Sequence, residues 1–285
     1  MIRKPCDRDL PRLMELWQEA FGDSEDETRF YFQYRHRHEH MLVMEIDEQI
    51  SGMLSLLPIQ LIADGAAHQA RYVFAVATKK EVRGRGVSTA LLTAAHEGIR
   101  AEGGVASILV PASENLFTFY GKRGYQAAFF VDQALLSASE IVSSPLRGEV
   151  SGLSAEDYLG IRKASFSGSR LFVDWDLDAL TYIKLGAESG GGRVLYLRDG
   201  AGEAAALIEK RDSIMRVTEL ALLSGMTWQI AMALIHRVVQ APQYLLRLPQ
   251  SSLGERNTIP IGMIHWLKAM PEGTGSPAYL ALAKD

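Results

Sequence analysis

The residues best suited to do chemistry lie in one stretch, Val73 to Thr89, which reads VFAVATKKEVRGRGVST. Residues 73–78 form an apolar, β-like run, Lys79 to Glu81 a charged turn, and Arg83-Gly84-Arg85-Gly86 a basic bend. From Val87 the apolar positions Val87, Leu91, Ala95 and Ile99 recur every fourth residue, which predicts a helix to about Arg100. A strand that breaks into a glycine turn and opens a helix directs several backbone N–H groups outward at the helix start. Those donors, the positive end of the helix dipole, and the flanking Arg83 and Arg85 suit a phosphate or pyrophosphate. Gly84 and Gly86 let the main chain approach such a ligand with no side chain in the way. Other phosphate loops fit poorly. Gly84-x-Gly86-x-x-Thr89 lacks the third glycine of a dinucleotide fingerprint, and the next strand ends Ile108-Leu109-Val110-Pro111 without an acid. No Gly-Lys-Ser/Thr occurs there, which excludes a Walker loop. The alternative is a solvated basic turn ahead of an ordinary amphipathic helix.

A second block follows after one expected strand, Ala106 to Val110. It reads Glu114-Asn115-Leu116-Phe117-Thr118-Phe119-Tyr120-Gly121-Lys122-Arg123-Gly124-Tyr125. Arg83 to Ser88 resembles the Arg/Gln-x-x-Gly-x-Gly/Ala loop of the GNAT superfamily of acetyl-CoA-dependent N-acetyltransferases, with Ser88 in the last position. The second block resembles that family's Asn…Phe-Tyr-x-x-x-Gly-Tyr/Phe segment. Two matching blocks at this separation make the signal specific, where either alone is weak.

The resemblance implies a GNAT fold of the α/β (α+β) class, with a mixed, mostly antiparallel central sheet flanked by helices. It also implies acetyl-CoA as cosubstrate and direct attack of a primary amine on the thioester. The main chain of Val76, Ala77 and Thr78 would pair with the pantetheine arm. The N–H groups of Gly84, Arg85, Gly86, Val87, Ser88 and Thr89 would grip the pyrophosphate, helped by the charges of Arg83 and Arg85. Asn115 matches a cofactor-contacting side chain, and Tyr120 matches the tyrosine that acts as general acid in many members. A phenol, with a pKa near 10, is protonated at neutral pH and able to donate to the leaving thiolate. The competing reading of Tyr120 is an aromatic packing residue beside Phe117 and Phe119. The base stays open, because Arg71 to Thr78 contains no carboxylate. Glu114, an acid of the 23–27 segment, a terminal carboxylate at Asp285 and ordered water are the candidates. A non-catalytic acyl-CoA-binding or regulatory protein is the rival function, and a longer acyl donor is a third.

The surrounding elements follow from periodicity. Leu10, Leu13, Met14, Trp17 and Phe21 predict a helix stopped at Gly22, and Ser24 to Glu27 has the form of a capping box for a second helix. Residues 42–46 and 50–57 read as strands joined at 47–49, with a third near Gln60 and a turn at Asp64-Gly65. A helix over 115–122 and a strand over 125–132 complete the expected catalytic domain, residues 1–136. The segment 137–152, rich in Ser, Gly and Pro, reads as a linker.

Residues 153–285 appear in the same order of elements and read as a degenerate GNAT-like domain. They predict a helix from Ala155, a hairpin about 199–202, a strand over 216–223, a helix over 228–239, and strands at 244–248 and 279–283. In place of the loop stands Leu223-Ser224-Gly225-Met226-Thr227, with one glycine and no arginine. The tandem arrangement resembles the first two domains of the Eis-type acetyltransferases.

Composition narrows the classes. At 285 residues, with 47% hydrophobic and 22% charged residues, the chain reads as an ordinary soluble protein of two domains. A net charge of −4 argues against general nucleic-acid binding. Cys6 is the only cysteine, which excludes an intramolecular disulfide and a cysteine metal cluster. The start lacks a signal-peptide core, and no apolar tract is long enough to span a bilayer, so a cytoplasmic location is expected. A homo-oligomer is compatible with the sequence. No metal is expected. Arg35-His36-Arg37-His38-Glu39-His40 lacks a further ligand and reads as a solvated polar turn. Asp174-Trp175-Asp176-Leu177-Asp178 lacks the glycine and the final acid of a calcium loop and reads as a helix start.

Overall fold

The computed structural model describes residues 1–141, 148–200, 202–253, 258–269 and 278–280. Its elements run β1 (Ile2–Arg3), α1 (Leu10–Phe21), α2 (Glu25–Tyr34), β2 (Met41–Ile46), β3 (Gln49–Ala63), β4 (Ala66–Thr78), α3 (Val87–Ala101), β5 (Ala106–Leu109), α4 (Glu114–Gly121) and β6 (Gln126–Ser137). They continue as β7 (Glu149–Gly152), α5 (Ala155–Phe166), β8 (Leu171–Asp174), α6 (Leu177–Ser189), β9 (Arg193–Arg198), β10 (Glu203–Arg211), β11 (Ile214–Leu222), α7 (Trp228–Val238), β12 (Gln243–Pro249), β13 (Thr258–Trp266) and β14 (Ala278–Tyr279). The strands form one mixed sheet in the order β1-β2-β3-β4-β5-β13-β6-β12-β11-β10-β9-β7, with β8 pairing both β3 and β14. The sheet is flanked by helices, as expected for the GNAT fold.

Both halves contain a parallel crossover. β4 and β5 are joined through α3, and β11 and β12 through α7. Between the two crossovers the last strands are exchanged. β13 pairs with β5 of the first half, and β6 pairs with β12 of the second, while β13 and β6 pair with each other. Periodicity did not reveal β13, whose run is broken by Pro260 and Gly262. Its register against β6 shifts at both sides of Gly262, which absorbs the irregularity as a bulge. Asp132 on β6, fully buried, steadies the entry to β13 by accepting from the Leu253 N–H at 2.6 Å and the Thr258 hydroxyl at 2.5 Å.

Other departures have physical causes. The strands expected at 50–57 and near Gln60 are one long strand, β3. Pro58 lacks an N–H, and it falls in the gap between the β2 pairing, which ends at Ser55, and the β8 pairing, which begins at Gln60. Within the segment expected as a linker, Glu149–Gly152 pairs with β9, and residues 142–147 lie outside the described residues. Of the strand expected at 279–283, only Tyr279 and Leu280 are described, and residue 201 of the expected hairpin turn is outside as well.

The core is built on both faces. α1 and α2 pack Leu13, Trp17 and Tyr31 into the same cluster as Tyr158, Leu180 and Tyr182 of α5 and α6. Phe30 stacks on Tyr182 at 5.2 Å, so helices of both halves share this face. The opposite face carries α3, which buries Val87, Leu91, Leu92, Ala95 and Ile99, each contributing about 1.5–3 kcal/mol for a large side chain and less for alanine. Under α5, Arg162 and Glu219 are fully buried and paired at 3.1 Å. The Tyr158 and Tyr279 hydroxyls donate to the same carboxylate, and Arg162 Nη1 and Nη2 donate to the Val173 and Leu280 carbonyls. Among the described residues, no helix is long and apolar enough to cross a membrane.

Candidate active site

β4 and β5 pair only through residues 70–72 and 106–108. Beyond Tyr72 that edge of β4 has no partner among the described strands. On its other side the register against β3 steps from Ser55↔Phe74 to Met53↔Ala77, so β4 carries one extra residue. Ala75 takes φ 53° there, a left-handed conformation that costs a non-glycine residue roughly 1–3 kcal/mol and persists only where the surroundings impose it. Val76, Ala77 and Thr78 lie just past this bulge, with Ala77 buried and the other two half-buried. A strand edge left open in this way offers backbone donors and acceptors to an extended ligand.

The chain then enters a short 3-10 turn, Lys80–Val82. Gly84 and Gly86 follow with φ 80° and 82°, and the space a Cβ would occupy at each is open. Gly86 caps α3 without a side chain, and no other side chain caps it. The first N–H groups, from Val87 through Thr89, therefore stay directed outward. Arg83 and Arg85 are exposed, and Arg83 Nε donates to the Thr78 carbonyl at 3.1 Å, which folds the bend back onto the end of β4. Lys80 N–H is held by the Glu19 carboxylate of α1 at 2.9 Å. Val87 is buried and pins the helix start to the sheet, and Ser88 is half-buried beside it. This seating depends on Gly52 of β3, where an added Cβ would sit 2.4 Å from Val87 Cγ1.

Tyr120 occupies the last turn of α4, 7% exposed, in the apolar cluster that contains Val73, Val87 and Leu91. Its ring meets Phe119 edge-on at 5.1 Å and Tyr125 at 5.7 Å. Burial pushes the phenol up to about 12, against the opposing pull of the Arg123 charge, so it is protonated throughout the neutral range. The packing and the proton-donor readings of Tyr120 are thus compatible. Asn115 is exposed on the first turn of α4 and its side chain makes no hydrogen bond among the described residues, so no side-chain bond joins it to the loop.

Two functional candidates escaped the sequence reading. Arg123 donates Nε and Nη2 to the Thr89 hydroxyl, and Nη1 to the Phe119 carbonyl, linking the end of α4 to the start of α3. The available signal was its place four residues after Phe119, in the turn that follows α4. The second is a buried polar knot behind Tyr120, where the Tyr125 hydroxyl meets Ser107 Oγ at 2.6 Å and His96 Nε2 at 3.0 Å. His96 stacks on His265 of β13 at 4.4 Å. No local pattern joins residues so far apart in sequence.

The candidate bases are largely engaged in structure. Ser24 and Glu27 form the expected capping box, Arg29 pairs with Glu25 and Asp26, and Asp23 accepts from the Trp17 indole at 2.7 Å. Glu114 is exposed at the start of α4, and Asp285 lies outside the described residues. The histidine run is not the solvated turn expected. His36 is buried, its Nε2 2.9 Å from His38 Nδ1, and His38 Nε2 is 2.8 Å from Asp7. Packing against Phe32 and Tyr31 draws it inward. Among the described residues, no group of three or more His, Cys, Asp or Glu could hold a metal ion. Asp176 caps α6 through the Ala179 N–H at 2.7 Å, the helix start expected there.

The second crossover differs where it matters. Thr227 caps α7 by accepting from the Ile230 N–H at 3.4 Å, so that helix start carries a side-chain cap of its own.

Residues 1–128 match the family model described as an acetyltransferase (GNAT) domain. Those residues are a GNAT-type domain. No curated protein gives a significant sequence match. Among solved structures, a GCN5-related N-acetyltransferase from Anabaena variabilis ATCC 29413 is similar at TM-score 0.78 and 16% identity, over 94% of this chain and 73% of that one. A probable N-acyltransferase from Enterococcus faecalis V583 is similar at TM-score 0.76 and 15% identity, over 93% and 72%. Eis1 from Mycobacterium abscessus follows at TM-score 0.68 and 12% identity, over 94% and 74%. At these identities the likeness is one of fold. It extends across both halves, beyond the matched GNAT domain.

Proposed function

We propose that this protein transfers an acetyl group from acetyl-CoA to a primary amine by direct attack, with Tyr120 as general acid. The observation that carries the reading is the uncapped start of α3, with left-handed Gly84 and Gly86, beside the open edge of β4 and the protonated Tyr120. The residues present fit the cosubstrate. The edge at Val76, Ala77 and Thr78 suits the amides of the pantetheine arm. The N–H groups from Gly84 to Thr89, with Arg83 and Arg85, suit the pyrophosphate. Holding thioester and amine in line supplies much of the rate of such a transfer, and a backbone N–H near Ala77, just past the Ala75 bulge, would stabilise a developing oxyanion. Tyr120 delivers its proton to the departing sulfur. Asn115 contacts the cosubstrate in this proposal, and the amine proton leaves to water or to an acid such as the exposed Glu114.

In the same proposal residues 1–136 form the catalytic domain and 153–285 a second domain that bounds the acceptor site and has lost its own anion loop; of the expected linker 137–152, Glu149–Gly152 is instead a strand of the second half, on β9. The capped start of α7 supports that division of labour. The cytoplasm is the proposed location. A non-catalytic acyl-CoA binder is the competing reading, favoured by the absence of a carboxylate on the central strand.

Calorimetric titration with acetyl-CoA and CoA, on wild type and Gly86→Glu, tests the cosubstrate site. Saturable binding to wild type, abolished by the new carboxylate, is expected. Tyr120→Phe then separates enzyme from binder in an amine-panel assay. Turnover is expected to fall about 100-fold or more with CoA affinity retained, and no turnover by wild type with any amine favours the binder. Absence of CoA binding by wild type refutes both.

A further inference from the structure

We infer that Arg123 is a positioning residue that holds the Thr89 hydroxyl as a directed donor to the anion at the start of α3. The inference rests on the acetyl-CoA reading above and names a side chain behind its pyrophosphate grip.

A hydroxyl has one hydrogen and two acceptor lone pairs. Thr89 Oγ1 receives Arg123 Nε at 2.9 Å and Nη2 at 2.7 Å, so both lone pairs are taken. The hydroxyl hydrogen must then be donated. A threonine inside a helix commonly turns it to the carbonyl four residues back, here Arg85. No such bond forms, and the hydrogen has no acceptor among the described residues. Thr89 is the third residue of α3, in the uncapped first turn, and is half-buried rather than enclosed. Its O–H is thereby an additional donor beside the open N–H groups of Val87, Ser88 and Thr89. Two hydrogen bonds from a cation polarise that hydroxyl and make it a better donor to a phosphate oxygen.

The guanidinium is fixed for this task. Its Nη1 donates to the Phe119 carbonyl at 2.6 Å, and Cζ lies 3.5 Å over the Phe119 ring. Lysine has neither the planar fork nor the stacking face to reproduce this. Phe119 precedes Tyr120, so the same group locks the last turn of α4 to the first turn of α3.

The test is a double-mutant cycle read as CoA affinity by calorimetry, with thermal unfolding of each variant recorded alongside. Arg123→Gln and Thr89→Val are each expected to weaken CoA binding about tenfold, since each removes a hydrogen bond to a charged group. The double variant is expected to be no weaker than the poorer single one, because Arg123 acts through Thr89. Thr89→Ser, which keeps the hydroxyl, is expected to stay within about twofold of wild type, and Arg123→Lys to behave like Arg123→Gln. If the pair merely clips the fold, its loss lowers the melting temperature and leaves Thr89→Val and Thr89→Ser with equal affinities. That equality, or fully additive losses, overturns the inference. Should Arg123→Gln fail to fold, the contrast between Thr89→Val and Thr89→Ser decides alone. Wild type that does not bind CoA refutes the acetyl-CoA reading itself, an outcome distinct from wild-type binding with Thr89→Val unaffected.

Discussion

Two buried histidines contribute to the response of the molecule to acid. Burial holds His36 and His96 at about 4, well below an ordinary histidine. As pH falls through 6.5 the unfolded chain takes up these protons first, while the folded chain refuses them until about 4. Their contribution to stability is therefore complete above about 6.5 and is lost as pH falls toward 4. Melting temperature measured against pH is expected to be level from pH 8 to 7 and to decline between 6.5 and 4.5. His96→Gln, which can still bond the Tyr125 hydroxyl, is expected to remove part of that decline. A profile in wild type that stays level to pH 4.5 contradicts the burial of these rings. At this scale the sequence was legible where residue type alone restricts conformation or chemistry, as at Gly84, Gly86 and Tyr120. It was illegible where meaning comes from a partner. His36 reads as part of a solvated turn until Phe32 and Tyr31 are found against it, and Arg123 has no assigned role until Thr89 is found beside it.

At the scale of elements, the proposed anion site depends on how α3 is seated. Val87 follows Gly86 directly, so the anchor and the uncapped turn are adjacent in the chain. The anchor fits only because Gly52 of β3 has no side chain. Gly52→Val places new atoms against Val87 Cγ1, 2.4 Å from the first added carbon, and against the Ala77 carbonyl at 3.2 Å. The expected loss is about 1–3 kcal/mol by overpacking, read as a lower urea midpoint, together with weakened CoA binding as the helix start is pushed off the sheet. Loss of stability with CoA affinity intact would separate the seating of α3 from the site. The strand–turn–helix order was legible because periodicity is a local property. The dependence on Gly52 was not, because it arises between a strand and a helix about thirty-five residues later.

The whole molecule is one sheet with its last strands exchanged. β13 completes the first half beside β5, and β6 supports the second beside β12. A fragment ending near residue 140 therefore exposes the edge of β5 and leaves β6 without either partner. Such a fragment is expected to lack a cooperative unfolding transition and to bind no CoA, and co-expression with residues 141–285 is expected to restore both. A fragment that unfolds cooperatively and binds CoA alone would make the exchange dispensable. The buried Arg162–Glu219 pair, with Tyr158 and Tyr279 on the same carboxylate, ties α5 and β11 to the C-terminal strand and adds to this mutual dependence.

By itself the sequence determined the GNAT loop, the second motif around Tyr120, the helix caps and the order of most elements. These depend on backbone preferences and on hydrophobic period, both written within a dozen residues of chain. Only the tertiary structure decided that β4 parts from β5 after Tyr72, that Ala75 is forced left-handed, that Arg123 reaches Thr89, and that β13 crosses into the other half's sheet. Each of these joins residues far apart in the chain, and strand pairing and side-chain satisfaction are settled by what packs alongside rather than by what precedes or follows.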